Sequence, residues 1–186
     1  MPRMHPRLAG ISAFLEDTRS RIVVSTLSLE PEDSARRPSP GAWSADEILT
    51  HLGLVEPGVA KRIAKSVRLA KEAGLALETS EEPVLHLLDG RRIETGEAKL
   101  VAPEFVDPKQ VLPRNQALAA LARSREALNA ALGDADGWAL VEVVAPHPVF
   151  GPLNMYEWLL FLGQHERRHL AQLERTAAAV RSGSRR

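Results

Sequence analysis

Apolar residues recur along this chain at helical spacing in four separate stretches. Leu8, Ile11, Leu15, Ile22 and Leu29 stand three, four or seven residues apart and predict a helix over about 7–29. Pro31 and the run Arg36-Arg-Pro-Ser-Pro-Gly41 break it. A second helix should begin after Ser44, a natural N-cap, because Glu47 stands three residues on, where its side chain closes a capping box. Asp46 and Glu47 also put negative charge at the positive end of the helix dipole. Val59, Ile63 and Val67 carry the pattern on to about Gly74. Pro57 therefore predicts a kink, through its clash with the Gly53 carbonyl, and not a stop.

Residues 76–108 lose the period. Pro83, Asp89-Gly90, Gly96, Pro103 and Pro108 predict a long crossover with a helical turn or hairpin near Asp89-Gly90. A connection of this length inside a compact domain is usually functional. The helical pattern returns over about 109–132, rich in Ala and Leu, and Gly133 predicts its end. A second loop, Asp134 to Gly151, holds His147 between Pro146 and Pro148. The last helix is expected from about Pro152, suited to a first turn, to Arg181. Val141-Glu-Val-Val144 is the best strand candidate, and it is short. Four helices of about 20–30 residues and one long connection predict an all-α fold: a four-helix bundle with the crossover between helices two and three. Residues 1–186 then form a single domain, with 182–186 a frayed basic tail.

Composition narrows the partners. Of 186 residues, 44% are hydrophobic, enough for a core. The 24 Lys and Arg balance 24 Asp and Glu, so the chain has no general electrostatic pull towards nucleic acid. There is no cysteine, which removes disulfides, thiolate nucleophiles and thiolate metal sites. No apolar run approaches the ~20 residues of a membrane span. No apolar segment of the signal-peptide kind follows Met1-Pro-Arg-Met-His-Pro-Arg7, and the cytoplasm is the default compartment.

The chemistry-bearing segment is His165-Glu-Arg-Arg-His169. Histidines four apart on a helix lie about 40° apart around its axis, one turn above the other, so both imidazoles reach one point. Met155, Leu159, Leu162, Leu173, Ala177 and Val180 share their face, whereas Arg167, Arg168, Glu174 and Arg175 fall opposite. Buried imidazoles need partners, since an unsatisfied polar group costs about 1–3 kcal/mol. The pair alone leaves two readings open: core histidines bonded to carbonyls or carboxylates, or ligands of a metal ion. His51 tips the balance towards metal. It stands on helix two with Ile48, Leu54 and Val55 and also points inward. Two histidines from one helix and one from a facing helix make a half-shell in a bundle core, and three ligands leave positions open for water or substrate. His5, His86 and His147 lie outside the clear helices and are set aside as ligands.

The same letters, His165-Glu166-x-x-His169, match the zincin protease pattern with Glu166 as general base. That reading takes second place. The metzincin extension needs Gly and His where Gln172 and Arg175 stand, and Glu174 lies about 140° round the helix from His169. Glu166 falls at the margin of the buried face. It is a candidate base or support for a ligand, or a surface partner of Arg62 or of an arginine on helix three.

Three segments carry a family resemblance. Trp43-Ser-Ala-Asp-Glu-Ile-Leu-Thr-His51-Leu resembles the Trp-Ser opening of helix two in the DinB-like (DinB/YfiT-like) metalloenzyme family, ending in its first metal histidine. Ala102-Pro-Glu-Phe-Val-Asp-Pro108 is similar to the approach to helix three in one branch. The run from His147 to Leu170, with its His165 and His169, looks like that branch's last loop and helix. The resemblance implies a four-helix bundle, a divalent metal ion (nickel or zinc) on the three matching histidines, and a homodimer. It implies a small-molecule substrate, with thiol-dependent S-transfer using a low-molecular-weight thiol, or hydrolysis, as the reaction. A stress-linked, non-catalytic metal-binding bundle is the alternative. A thiol nucleophile would have to come from a co-substrate, since the chain has none. Trp43 and Trp158 are read first as core and second as pocket wall. His147 is read first as a surface-loop residue and second as a proton shuttle at the site mouth.

Overall fold

The first apolar repeat folds as predicted. In the computed structural model, which describes residues 4–90, 93 and 106–184, α1 spans Pro6–Leu27 and buries Leu8, Ile11, Leu15 and Ile22. Pro31 opens a single further turn, α2 (Pro31–Ser34), with Pro in the first-turn position where its missing N–H costs nothing. Helix α3 spans Ala45–Glu72, and its capping box is complete: Ser44 Oγ accepts from the Glu47 amide at 3.2 Å, and Glu47 Oε2 accepts from the Ser44 amide at 2.8 Å. The helix continues through Pro57 and ends before Gly74, which takes a positive φ of 90°.

Helix α4 spans Arg114–Ala135, displaced towards the C-terminus from the predicted 109–132. Pro113 sets its start, because the residue before a proline is disfavoured in helical conformation. Gly133 does not stop it. The end comes at Gly137, whose φ of 74° is the left-handed value that terminates helices. The strand expected at 141–144 is also shifted. Leu140–Glu142 form a 3-10 turn, and β1 (Val144–His147) pairs antiparallel with β2 (Gly151–Asn154) in a hairpin. Pro152 therefore lies in β2 opposite Pro146 and does not open the last helix. Helix α5 spans Met155–Ser184, and Asn154 begins it: its Oδ1 accepts from the Glu157 amide at 3.0 Å while Glu157 Oε2 accepts from its own amide at 2.8 Å. Residues 182–184 of the expected tail are helical, and 185–186 lie outside the described residues.

Of the crossover, residues 91, 92 and 94–105 lie outside the described residues, and with them most of the Ala102–Pro108 segment. Before them the chain turns at Val84–Leu87, and an isolated bridge joins Leu77 to Trp138; the Ile93 amide donates to the Gly90 carbonyl at 3.0 Å.

α1, α3, α4 and α5 pack as a four-helix bundle around two apolar clusters. One holds Leu8, Ile11 and Leu15 of α1, Val59 and Ile63 of α3, Leu128 of α4 and Leu159–Leu162 of α5. The other holds Ile22, Ile48, Leu49, Leu52, Leu121, Leu170 and Leu173. Each helix passes from one cluster to the other through buried polar residues: Arg19, His51 and Glu56, Ser124 and Arg125, and His165, Glu166 and His169. The bundle thus carries a polar layer between two apolar ones. Among the described residues, no helix is long and apolar enough to cross a membrane.

Candidate metal centre

The sequence places His51 two turns past the α3 cap and His165 and His169 one turn apart at mid-α5, and the polar layer brings their rings together. His165 Nε2 lies 3.2 Å from both His51 Nε2 and His169 Nε2. The three ligand-capable nitrogens all fall within 4.8 Å of one another, and each residue is about 95% buried. The outer nitrogens define the tautomers. His51 Nδ1 donates to the Val106 carbonyl at 2.8 Å, and His169 Nδ1 donates to Gln172 Oε1 at 2.9 Å. Both rings therefore carry their proton on Nδ1 and turn an Nε2 lone pair inward.

His165 cannot satisfy this arrangement by itself. With a proton on Nε2 it shares one hydrogen between two acceptors and leaves a buried Nδ1 that meets no hydrogen-bond partner among the described residues. With the proton on Nδ1, three lone pairs face one another. A divalent cation would satisfy the three lone pairs of the second case, with the His165 Nδ1–H still without a partner among the described residues. Nitrogens at about 2.1 Å from an ion and 90–110° apart are separated by roughly 3.0–3.4 Å, which brackets the 3.2 Å of the two pairs that His165 makes, while His51 and His169 lie within 4.8 Å of each other. The donor set thus fits a three-histidine metal site.

Electrostatics point the same way. Burial pushes the His51 pKa down against the opposing pull of the Val106 bond and Asp107. Burial, then the neighbouring His169 and His51, hold His165 well below the usual imidazole range. His169 falls to about 3, mainly by burial. Neutral imidazoles are the form that ligates.

The cluster forms the floor of a cavity of about 580 Å³ with mostly apolar walls, including Trp43, Val55, Val59, Trp158 and Phe161. Trp43 stacks on His169 with planes 12° apart, and Phe161 lies 5.8 Å from His165. Both tryptophans line the cavity and also pack with the apolar clusters, Trp158 as a buried core residue, so both sequence readings hold.

His147 corrects the sequence reading further. The hairpin turns it into the cavity wall, only 7% exposed, among Phe150, Trp158 and Phe161, with ring centroids 4.3–5.0 Å away. Its Nδ1 accepts from the Val149 and Phe150 amides at 3.1 and 3.3 Å, so its proton sits on Nε2. Burial and the charge of Arg62 lower its pKa to about 4. Two short strands flanking a proline-bounded histidine were the available signal, but only the hairpin register decides which way the ring turns.

Glu166 is neither a surface residue nor part of the cavity lining. It is 1% exposed and bonds Arg19 and Arg125, the latter at 3.1 Å through each oxygen. Glu56 joins the same guanidiniums, at 3.1 Å to Arg19 and 2.8 Å to Arg125, and accepts from Ser124. Burial pushes the Glu166 carboxyl up while Arg19 and Arg125 pull it down. Of the two expected kinds of partner, the arginine of the third predicted helix is found as Arg125, whereas Arg62 lies over the Trp158 ring, 4.8 Å from its centroid. A signal for this network existed: Arg19, Glu56, Arg125 and Glu166 each stand four residues after a buried leucine and three before the next inward residue. Charge at a core position of all four helices marks a shared layer.

Residues 15–173 match the sequence model of the DinB superfamily. The chain is similar to the uncharacterized protein YuaE of Bacillus subtilis (strain 168), 31% identical over 147 residues, 78% of this chain and 84% of that protein. Its fold is similar to that of TT2238, described as a four-helix bundle protein, with a TM-score of 0.62 at 22% identity, over 90% of this chain and 98% of that one.

Proposed function

The chain belongs to the DinB superfamily, and on that premise we propose that it is a metal-dependent enzyme acting on a small molecule, by thiol-dependent S-transfer or by hydrolysis. The supporting observation is the convergence of three neutral imidazole nitrogens of His51, His165 and His169 on the floor of a cavity large enough for a substrate. These residues would hold a divalent ion, nickel or zinc. Bound there, the ion supplies Lewis acidity that lowers the pKa of a coordinated water or thiol. Val106 and Gln172 hold two of the three rings in register through their Nδ1 protons. Trp43, Trp158 and Phe161 exclude water from the floor and offer flat apolar surface to a substrate.

A second reading, a non-catalytic metal-binding bundle, draws on one observation. No carboxylate lines the cavity among the described residues, and Glu166, the nearest base in sequence, is committed to Arg19 and Arg125. Metal analysis of the purified protein, followed by thiol-transfer and ester-hydrolysis assays with and without chelator, separates the two. The enzyme reading expects about one divalent ion per chain and turnover that chelation abolishes. Protein with bound metal and no turnover with any thiol acceptor or ester supports the second reading. Protein purified without metal that takes up none on addition refutes both.

A further inference from the structure

The cavity wall is asymmetric in charge. Its floor is three neutral imidazoles and its sides are largely apolar, yet two arginines and no carboxylate line it among the described residues. One of the two, Arg168, already donates to the Ile93 carbonyl at 3.3 Å. The other, Arg62, is exposed and meets no ion-pair partner among the described residues; its guanidinium carbon lies 4.8 Å from the centre of the Trp158 ring. On the same tryptophan, 4.8 Å from its ring, sits His147, whose Nδ1 is filled by two backbone amides. Its Nε2–H has no partner among the described residues. A cation and a neutral donor therefore both contact Trp158 beside the imidazole floor.

We propose that this pair selects a substrate carrying a carboxylate on an apolar body, with the guanidinium of Arg62 pairing with the charge and His147 Nε2–H donating to a carboxylate oxygen. The inference rests on the reading of the cavity as a substrate site and names the substrate's class. A single guanidinium and one neutral donor match a monoanion. A planar guanidinium meets a carboxylate with two parallel hydrogen bonds, and its contact with an aromatic ring limits the side-chain freedom that pairing costs. The body of the ligand would lie against Trp158, Phe161 and Trp43, away from Arg62, where the walls offer only apolar surface.

Tryptophan fluorescence titration of the protein as purified tests this with 4-phenylbutyrate and its neutral counterpart 4-phenylbutanamide. The carboxylate should bind about tenfold or more tightly than the amide, the range expected of a charge-assisted hydrogen bond. Arg62→Gln should erase that preference without changing metal content, and His147→Phe, which keeps an aromatic ring in place, should weaken carboxylate binding severalfold. The proposal is overturned by equal binding of the two probes, by no saturable binding of the carboxylate, or by either variant behaving as wild type. A preference that survives Arg62→Gln but disappears in Arg168→Gln or in His169→Ala also overturns it; in the last case the anion is read at the imidazole floor, and the metal reading is strengthened. Loss of preference in Arg62→Gln in protein that binds no metal sustains the carboxylate site while the enzyme reading fails.

Discussion

His165 and Glu166 are neighbours on α5, equally buried, and belong to opposite halves of one polar layer. In the ionic half, all four oxygens of Glu56 and Glu166 accept from Arg19, Arg125 or Ser124, the more exposed Glu16 adds a third carboxylate on Arg125, and among the described residues only Arg19 Nε lacks a partner. In the imidazole half, three rings crowd their nitrogens together and one nitrogen stays orphaned. A polar group taken from water must be repaid by partners inside the protein or left open for something from outside. The first half is closed on itself and ties α1, α3, α4 and α5 together; the second opens onto a cavity. The difference separates a structural network from a binding site within a single layer.

The sharpest way to break this contrast is to remove one carboxylate from the ionic half. Glu56→Ala leaves Arg19 and Arg125 short of a counter-charge, and breaking a buried pair in this way costs about 3–5 kcal/mol. Urea denaturation should register a loss of that size, and a loss below about 1 kcal/mol would show that the network behaves as a surface one. His169→Ala should do the reverse: little change in the metal-free protein, but loss of bound ion. In wild type, added metal at about a hundredfold over its dissociation constant should stabilise by about 2.7 kcal/mol, and the variant should show no such rise in Tm. Unchanged metal stoichiometry in His169→Ala refutes the assignment.

Acid sharpens the comparison from the imidazole side. His169 in the fold titrates near 3 and His147 near 4, against 6.5 for a free imidazole. As pH falls below 6.5 the unfolded chain takes up these protons before the folded one, so the stability present above that pH is progressively lost down to about pH 3–4. Denaturation midpoints measured across this window should fall monotonically, and a flat profile would show that the rings are not held neutral. Gln172→Ala, which frees the His169 ring, should weaken metal affinity by about 10–100-fold, read by competition with a chromogenic chelator. Smallest is Ser44→Ala, a lost N-cap worth about 1 kcal/mol, which thermal unfolding should detect with metal binding unchanged.

The sequence by itself determined the four helices, because a period near 3.6 and the Ser44–Glu47 cap are local properties that packing did not overrule. It also determined that His51, His165 and His169 face inward. Where two local signals competed it misled: Gly133 against Gly137 as a helix stop, and Pro152 against Asn154-x-x-Glu157 as a helix start. The capping bonds of Asn154 outweighed the permissive φ of the proline. Only the tertiary structure decided what lies across each interface. That Glu166 finds Arg19 and Arg125, 147 and 41 residues away, while His165 meets His51, 114 residues away, follows from the juxtaposition of helices. The turn of His147 into the cavity follows from a hairpin register. Helical period tells which side of each helix is buried, but the partners on that side are set by packing, since pairing across the bundle depends on which helices meet and at what height.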